Sequence, residues 1–174
     1  MNYHLRLVTV LCALSPLYAY GGGNPDSVKF PEGYDQSFAH YATINRDNQK
    51  QVAKLYANET AVSSYEEGQS ADPGSVVVME IYKPKLDAAG KPIPGSDGIF
   101  EIDTLAAIAV MEKKDSWDAA YPENERAGNW GFALYKPDGT ALSNELECAQ
   151  CHSPLKKQDY LFTYQNLIDY AKEH

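Results

Sequence analysis

The strongest β-strand signal in this chain is SVVVMEIYKP, at residues 75–84. Four of its residues are β-branched, and β-branched side chains favour the pleated backbone of a strand. Because successive side chains of a strand point to opposite faces, residues 77, 79, 81 and 83 share one face, and residues 76, 78, 80 and 82 share the other. We therefore expect a long strand here, and its partner strands must come from the flanking segments.

Four further segments predict strands, at residues 38–45, 51–56, 99–114 and 129–135. Periodicity alone does not assign the apolar run within residues 99–114, because a helix and a buried strand give the same pattern over so short a length. We predict a buried strand, since the neighbouring segments are strands. Residues 86–98 hold three glycines and two prolines, which predicts a loop.

Two helices complete the prediction. Asn58 is expected to cap a short helix that ends near Glu67, before Gly68, and Thr163 is expected to cap a C-terminal helix. The apolar face of the second helix would hold Tyr164, Leu167, Ile168 and Ala171. The sequence therefore predicts an α+β fold, a mostly antiparallel β-sheet of about five strands with a few short helices.

The C-terminal part carries a CxxCH motif, formed by Cys148, Cys151 and His152. This is the spacing of c-type haem attachment, in which each cysteine forms a thioether with one haem vinyl group. The histidine then supplies an axial nitrogen to the iron. The motif predicts one covalent haem c. A thioredoxin-like redox pair would need a βαβ context, and a structural zinc site would need two more Cys or His ligands at short spacing.

The N-terminal residues predict export. An apolar stretch at residues 7–17 is too short to span a bilayer, and Ala19 and Gly21 supply small residues at positions −3 and −1 of a cleavage site. We expect a signal peptide at residues 1–21, a single haem c domain at residues 22–174, and a periplasmic protein. Loss of Arg6 would leave fourteen basic residues against twenty-four acidic ones, a net charge of −10. This charge argues against nucleic acid and anionic membranes as partners.

Four local strings accompany the strand order: FPEGY at residues 30–34, VVMEIY at 77–82, GNWGF at 128–132 and ECAQCH at 147–152. With them the chain resembles the cytochrome P-460 family, including the cytochromes c′-β, from about Phe30 to Tyr170. The resemblance implies a β-sheet fold, a homodimer, and a five-coordinate haem whose open face meets a small nitrogen compound.

Met79 marks a departure from part of that family. In members that oxidise hydroxylamine, a lysine on the long central strand is cross-linked to the haem, and the local match places it at Met79 here. Met79 could line the haem pocket, supply a sixth ligand, or pack in the sheet away from the haem. Lys83 lies on the same strand face but about 13 Å further along, and Lys85 is on the opposite face.

Three functions remain open from the sequence. The first is a haem protein that binds nitric oxide or a related small ligand. The second is an enzyme that oxidises hydroxylamine or nitric oxide and passes electrons to another cytochrome, with Glu145 or Glu147 as a candidate proton acceptor. The third is an electron carrier in which His152 and Met79 ligate the iron. Arg46 and Arg126 are candidates to pair with a haem propionate, because guanidinium binds carboxylate bidentately.

Overall fold

The computed structural model describes residues 23–46, 48, 50–66, 70–142 and 146–174. The predicted signal peptide lies outside these residues, and so do Glu67, Gly68 and Glu145.

A five-stranded antiparallel sheet forms the body of the molecule. Its strands are β1 (Ala39–Arg46), β2 (Gln51–Ala57), β3 (Val76–Pro84), β4 (Ile102–Lys113) and β5 (Trp130–Tyr135). They lie in the sheet in their order along the chain, and every neighbouring pair is antiparallel. The predicted α+β class and the five predicted strands are confirmed. The ambiguous apolar run is a strand, buried at Ile108, Val110 and Met111 and partly exposed at residues 105–107 and 109.

Among the described residues, four short α-helices accompany the sheet: α1 (Tyr34–Ser37), α2 (Glu59–Glu66), α3 (Cys148–His152) and α4 (Tyr164–Glu173). Asn58 caps α2 as predicted, because its Oδ1 accepts a hydrogen bond from the Ala61 amide at 3.0 Å. The predicted side-chain cap at Thr163 is wrong. Thr163 does precede α4, but its Oγ1 is 2.7 Å from the Tyr41 hydroxyl and makes no capping bond. No helix in the described part of the chain is long and apolar enough to cross a membrane.

The two faces of the sheet carry separate cores. On one face, which we call the motif face, Leu55, Val77, Met111 and Phe132 pack with residues of α2, α3 and α4. On the other, Val78, Ile108, Ala133 and Tyr135 pack with Tyr34 and with others of the N-terminal segment. The alternation predicted for β3 is thereby observed, since Val77 and Val78 belong to different cores. The CxxCH helix lies on the motif face, where Ala149 is buried and Cys148 is partly buried.

Candidate haem site

The CxxCH motif forms α3, a helix little longer than one turn. Both cysteines are free thiols; Cys148 is half-buried and Cys151 is exposed. Burial is the main reason why the pKa of the Cys148 thiol is raised above its usual value. Within the described residues, no group of three or more His, Cys, Asp or Glu side chains could hold a metal ion. The zinc alternative therefore gains no support from the described part of the chain.

His152 is held in one tautomer by a backbone carbonyl. Its Nδ1 lies 2.6 Å from the Tyr160 oxygen, and because a carbonyl can only accept, Nδ1 carries the proton. Burial, the largest cause, and the positive charge of Arg46 lower the pKa of His152, while the hydrogen bond to Tyr160 opposes them. The imidazole is therefore neutral near pH 7, and its Nε2 keeps a lone pair for a metal ion.

Two aromatic rings pack against this imidazole. Phe132 of β5 lies with its ring centroid 4.9 Å from that of His152, and Phe162 lies at 5.0 Å on the segment before α4. Phe132 is buried in the sheet, whereas Phe162 is 64% exposed. Phe162 therefore presents an exposed apolar ring next to His152.

Tyr160 owes its orientation to an unusual backbone. Asp159 and Tyr160 follow the 3₁₀ turn Ser153–Gln158, and both adopt left-handed conformations, with φ of +45° and +63°. Such a conformation costs a residue with a side chain about 1 kcal/mol. The Tyr160 amide donates to the Leu155 carbonyl at 2.9 Å, so the turn is closed. This arrangement aims the Tyr160 carbonyl at His152.

A buried polar cluster lies next to this turn. The Lys113 ammonium is 2.9 Å from Asp159 Oδ1, and it also donates to the Ser70 hydroxyl at 2.8 Å. The other carboxylate oxygen, Oδ2, accepts from the Tyr65 hydroxyl at 2.7 Å and from the Ala71 amide at 3.0 Å. Lys113 and Asp159 are each only 9% exposed, and both oxygens of the Asp159 carboxylate have hydrogen-bond partners.

The motif face of the sheet carries four apolar residues that pair across β2, β3, β4 and β5. Met79 pairs with Leu55 on β2 and with Ala109 on β4, and Ala109 pairs with Leu134 on β5. We call these four residues the apolar row. Leu55 and Leu134 are buried, but Met79 and Ala109 remain partly exposed. Met79 packs on the same core as Cys148, so the structure puts it on the face that carries the motif.

Of the two candidate arginines, Arg46 is the one whose charge acts on His152. It shares its strand face with Ile44, it is half-buried, and its charge acts on His152. Desolvation lowers its own pKa, and its Nη1 donates to Gln51 Oε1 at 2.7 Å. Arg126 instead donates to the Pro122 carbonyl and lies over the Tyr121 ring.

The candidate replacements for the family's lysine lie elsewhere. Lys83 is exposed and lines a cavity of about 460 Å³ with residues 104–106 and 136–138, none of which belongs to the motif. Lys85 pairs with Glu101 at 3.1 Å, at the end of β3. Glu147 is exposed immediately before α3. Met79 thus packs against the same core as Cys148, whereas Lys83 lines a cavity without motif residues.

A five-stranded antiparallel sheet with a CxxCH helix packed on one face defines a haem-binding cytochrome of the β-sheet kind. The donor set fits a haem, because two free thiols, a neutral imidazole and an apolar face are what a macrocycle with an iron centre requires. A family model described as Cytochrome P460 matches residues 31–163. The chain therefore belongs to the cytochrome P460 family, and the predicted resemblance is confirmed. No curated protein sequence matches the chain.

Several residues of the site had no signal in the sequence. The partner of His152 is a backbone carbonyl, which any residue at position 160 would supply. Asp159 and Lys113 are 46 residues apart, and no local pattern links such a pair. Phe162 could have been suspected, because an aromatic residue shortly after a CxxCH motif is available to cover the histidine.

Proposed function

We propose that this cytochrome carries one covalent haem c and binds nitric oxide or a related small nitrogen ligand on an open, mainly apolar face. In this proposal Cys148 and Cys151 form the two thioethers, and His152 ligates the iron through Nε2. The observation that carries it is the neutral His152 imidazole, held by the Tyr160 carbonyl at 2.6 Å on the face that bears the apolar row.

The residues around the motif suit these roles. His152 needs a free Nε2, and the hydrogen bond at Nδ1 both fixes the ring and raises the basicity of the opposite nitrogen. The partly exposed Cys148 and Cys151 can each reach a haem edge without unfolding α3. When bound, the haem supplies an iron that coordinates small nitrogen compounds.

The apolar row favours nitric oxide over dioxygen as the ligand. None of its four side chains has a hydrogen-bond donor, whereas bound dioxygen develops negative charge that a donor would stabilise. Arg46 is a charged side chain on this face, and its Nη1 already donates to Gln51 Oε1. Arg46 is a candidate to pair with a propionate, since its charge acts on His152, whereas Arg126 donates to the Pro122 carbonyl.

The enzymatic alternative has less support. A cross-link would need a lysine where Met79 stands, and Lys83 faces a cavity without motif residues. An electron carrier has one observation in its favour, because the Met79 thioether is on the motif face and partly exposed. Solvent extraction and peptide mass spectrometry test haem attachment and the lysine cross-link. The spectra of Met79→Leu distinguish a protein that binds nitric oxide from an electron carrier.

The first experiment tests attachment. The full chain is matured in a periplasm that attaches c-type haem and is then extracted with acidified organic solvent. We expect the pigment to stay with the wild-type protein, and Cys148→Ala and Cys151→Ala each to lose one of two thioethers in peptide mass spectra. Pigment that leaves the wild type would contradict the proposal. A strand peptide containing Lys83 or Lys85 joined to the haem would select the enzyme.

The second experiment tests Met79. Met79→Leu conserves volume and removes the sulfur, and Met111→Leu makes the same change on β4 in the same core. If the face is open, wild type and both variants have high-spin ferrous spectra that change on addition of nitric oxide. A low-spin wild type that becomes high-spin only in Met79→Leu would identify an electron carrier.

We also propose that the protein works in the periplasm as a homodimer and exchanges electrons with another cytochrome. The apolar stretch at residues 7–17 and the family resemblance support export and dimerisation, and the net acidic charge supports a basic redox partner. Fractionation of cells that express the full chain, with size-exclusion chromatography coupled to light scattering, tests location and dimer together. A monomeric or cytoplasmic holoprotein would contradict this part of the proposal.

A further inference from the structure

We infer that Asp159 is a positioning residue for the haem iron, because its buried ion pair with Lys113 holds the Tyr160 carbonyl against His152. The inference deepens the proposed function and rests on it, since it takes His152 as the iron ligand. It assigns a role to a polar cluster that otherwise has no part in haem binding.

The cluster fixes the Asp159 carboxylate from three separate parts of the chain. Lys113 reaches it from the end of β4, Tyr65 from α2, and the Ala71 amide from the segment between α2 and β3. Each contact is 3.0 Å or shorter, and the carboxylate is almost fully buried. Charged hydrogen bonds away from water are stronger than exposed ones, so Asp159 cannot shift without losing several of them.

The fixed carboxylate determines where the next carbonyl points. Asp159 directly precedes Tyr160, and both residues occupy the small left-handed region of backbone space. On the far side of the carbonyl, Leu161 is buried at 2% exposure. Because the peptide unit is planar, anchors on both sides leave the Tyr160 carbonyl little freedom. Its direction towards His152 Nδ1 is therefore set by the cluster.

The direction of this carbonyl matters for the iron. A strong hydrogen bond from Nδ1 gives the imidazole partial anionic character, which strengthens its bond to a metal ion and stabilises the higher oxidation state. If Asp159 no longer anchors the turn, the left-handed backbone relaxes and the hydrogen bond lengthens. The iron–histidine bond then weakens and the reduction potential rises.

Asp159→Asn in the haem-loaded full chain tests this inference. Asparagine is tolerated in left-handed conformations, so the substitution removes the charge while leaving the backbone preference in place. Glu112→Gln is the matched control. Glu112 pairs with Lys114 at 3.3 Å, next to Lys113 along β4 but on the other face of the sheet. Resonance Raman spectroscopy of the ferrous protein gives the iron–histidine stretching band, and redox titration gives the midpoint potential.

We expect Asp159→Asn to move the iron–histidine band to lower frequency and the midpoint potential to a more positive value, with neither change in Glu112→Gln. If Asp159→Asn lowers only the urea midpoint of unfolding and leaves band and potential at their wild-type positions, Asp159 is purely structural and the inference is overturned.

Tyr65→Phe keeps the test decisive should Asp159→Asn fail to fold. It removes one hydrogen bond from the carboxylate, and smaller shifts in the same directions are expected. Unchanged values in a folded Tyr65→Phe then overturn the inference. A wild type without the ferrous band would contradict the open face of the proposed function, and the midpoint potentials of wild type and variants would still decide the role of Asp159.

Discussion

Gly128→Ala should destabilise the protein more than an otherwise comparable glycine substitution. Gly128 has a φ of +58°, and a Cβ built there would lie 2.6 Å from the Tyr160 ring. Gly33 has a similar φ of +69°, but nothing lies within 4 Å of its Cβ. Gly33→Ala therefore measures the cost of the backbone alone, and Gly128→Ala adds the displacement of Tyr160.

The expected loss of stability has two parts, the cost of a left-handed backbone and the cost of displacing the Tyr160 ring. Alanine in a left-handed conformation costs about 1 kcal/mol, which is the whole effect expected for Gly33→Ala. Forcing the Tyr160 ring aside adds about 1–3 kcal/mol, the usual range for an overpacked site, so Gly128→Ala should cost about 2–4 kcal/mol. For a chain of this size each kcal/mol lowers Tm by about 3 °C, so the expected losses are about 3 °C and about 6–12 °C.

Urea unfolding of the haem-loaded chain, followed by circular dichroism, measures both variants under one condition. The m-value should stay constant, so that a lower midpoint reports lost stability. Equal losses in the two variants would refute the reasoning, because they would show that the Tyr160 ring moves away without cost.

Three further outcomes follow from the structure. Asn58→Ala should lower the free energy of unfolding by about 2 kcal/mol, because Asn58 caps α2 and also makes hydrogen bonds with the Val76 amide and the Gly74 carbonyl. Thermal unfolding measures this loss of stability. An unchanged Tm would contradict it. Tyr41→Phe should cost about 1–3 kcal/mol by leaving the buried Thr163 hydroxyl without its partner, and the double variant with Thr163→Val should recover part of that loss in the same assay. Alkaline pH should destabilise the fold, because burial raises the pKa of Tyr82, Tyr121 and Tyr135 from 10.0 to about 12. The folded state thus keeps phenolic protons that the unfolded state loses, so stability is fully present below about pH 10 and falls as the pH rises towards 12; urea midpoints that stay constant between pH 9 and 11 would contradict this.

The fold was predictable because its signals are local. The β-branched run of β3 and the alternation of β2 identify strands without knowledge of their partners. The ambiguous apolar run in β4 was predicted to be a strand because the segments around it are strands. That prediction succeeded because strands that are consecutive along the chain are also neighbours in this sheet. The cap at Asn58 was predictable because helix capping also acts between residues only a few positions apart.

Interactions between distant residues were not predictable in the same way. Thr163 has the composition of a helix cap, yet its hydroxyl meets Tyr41, 122 residues earlier in the chain. Arg46 and Arg126 were equivalent from sequence, and the structure distinguishes them because the charge of Arg46 acts on His152. The motif itself was visible, whereas the carbonyl and ion pair that support it depend on the tertiary fold.

The consecutive order of the strands has a consequence for biogenesis. Every pairing in the sheet joins neighbours along the chain, so the sheet can assemble as the polypeptide emerges, amino end first. Helix α4, by contrast, follows the motif along the chain, and it packs on α2 and β1. Along the chain, the CxxCH motif lies between the last strand of the sheet and this helix. In the function proposed above, haem attachment would thus take place beside a sheet that can already have formed, and the packing of α4 on α2 and β1 would follow it.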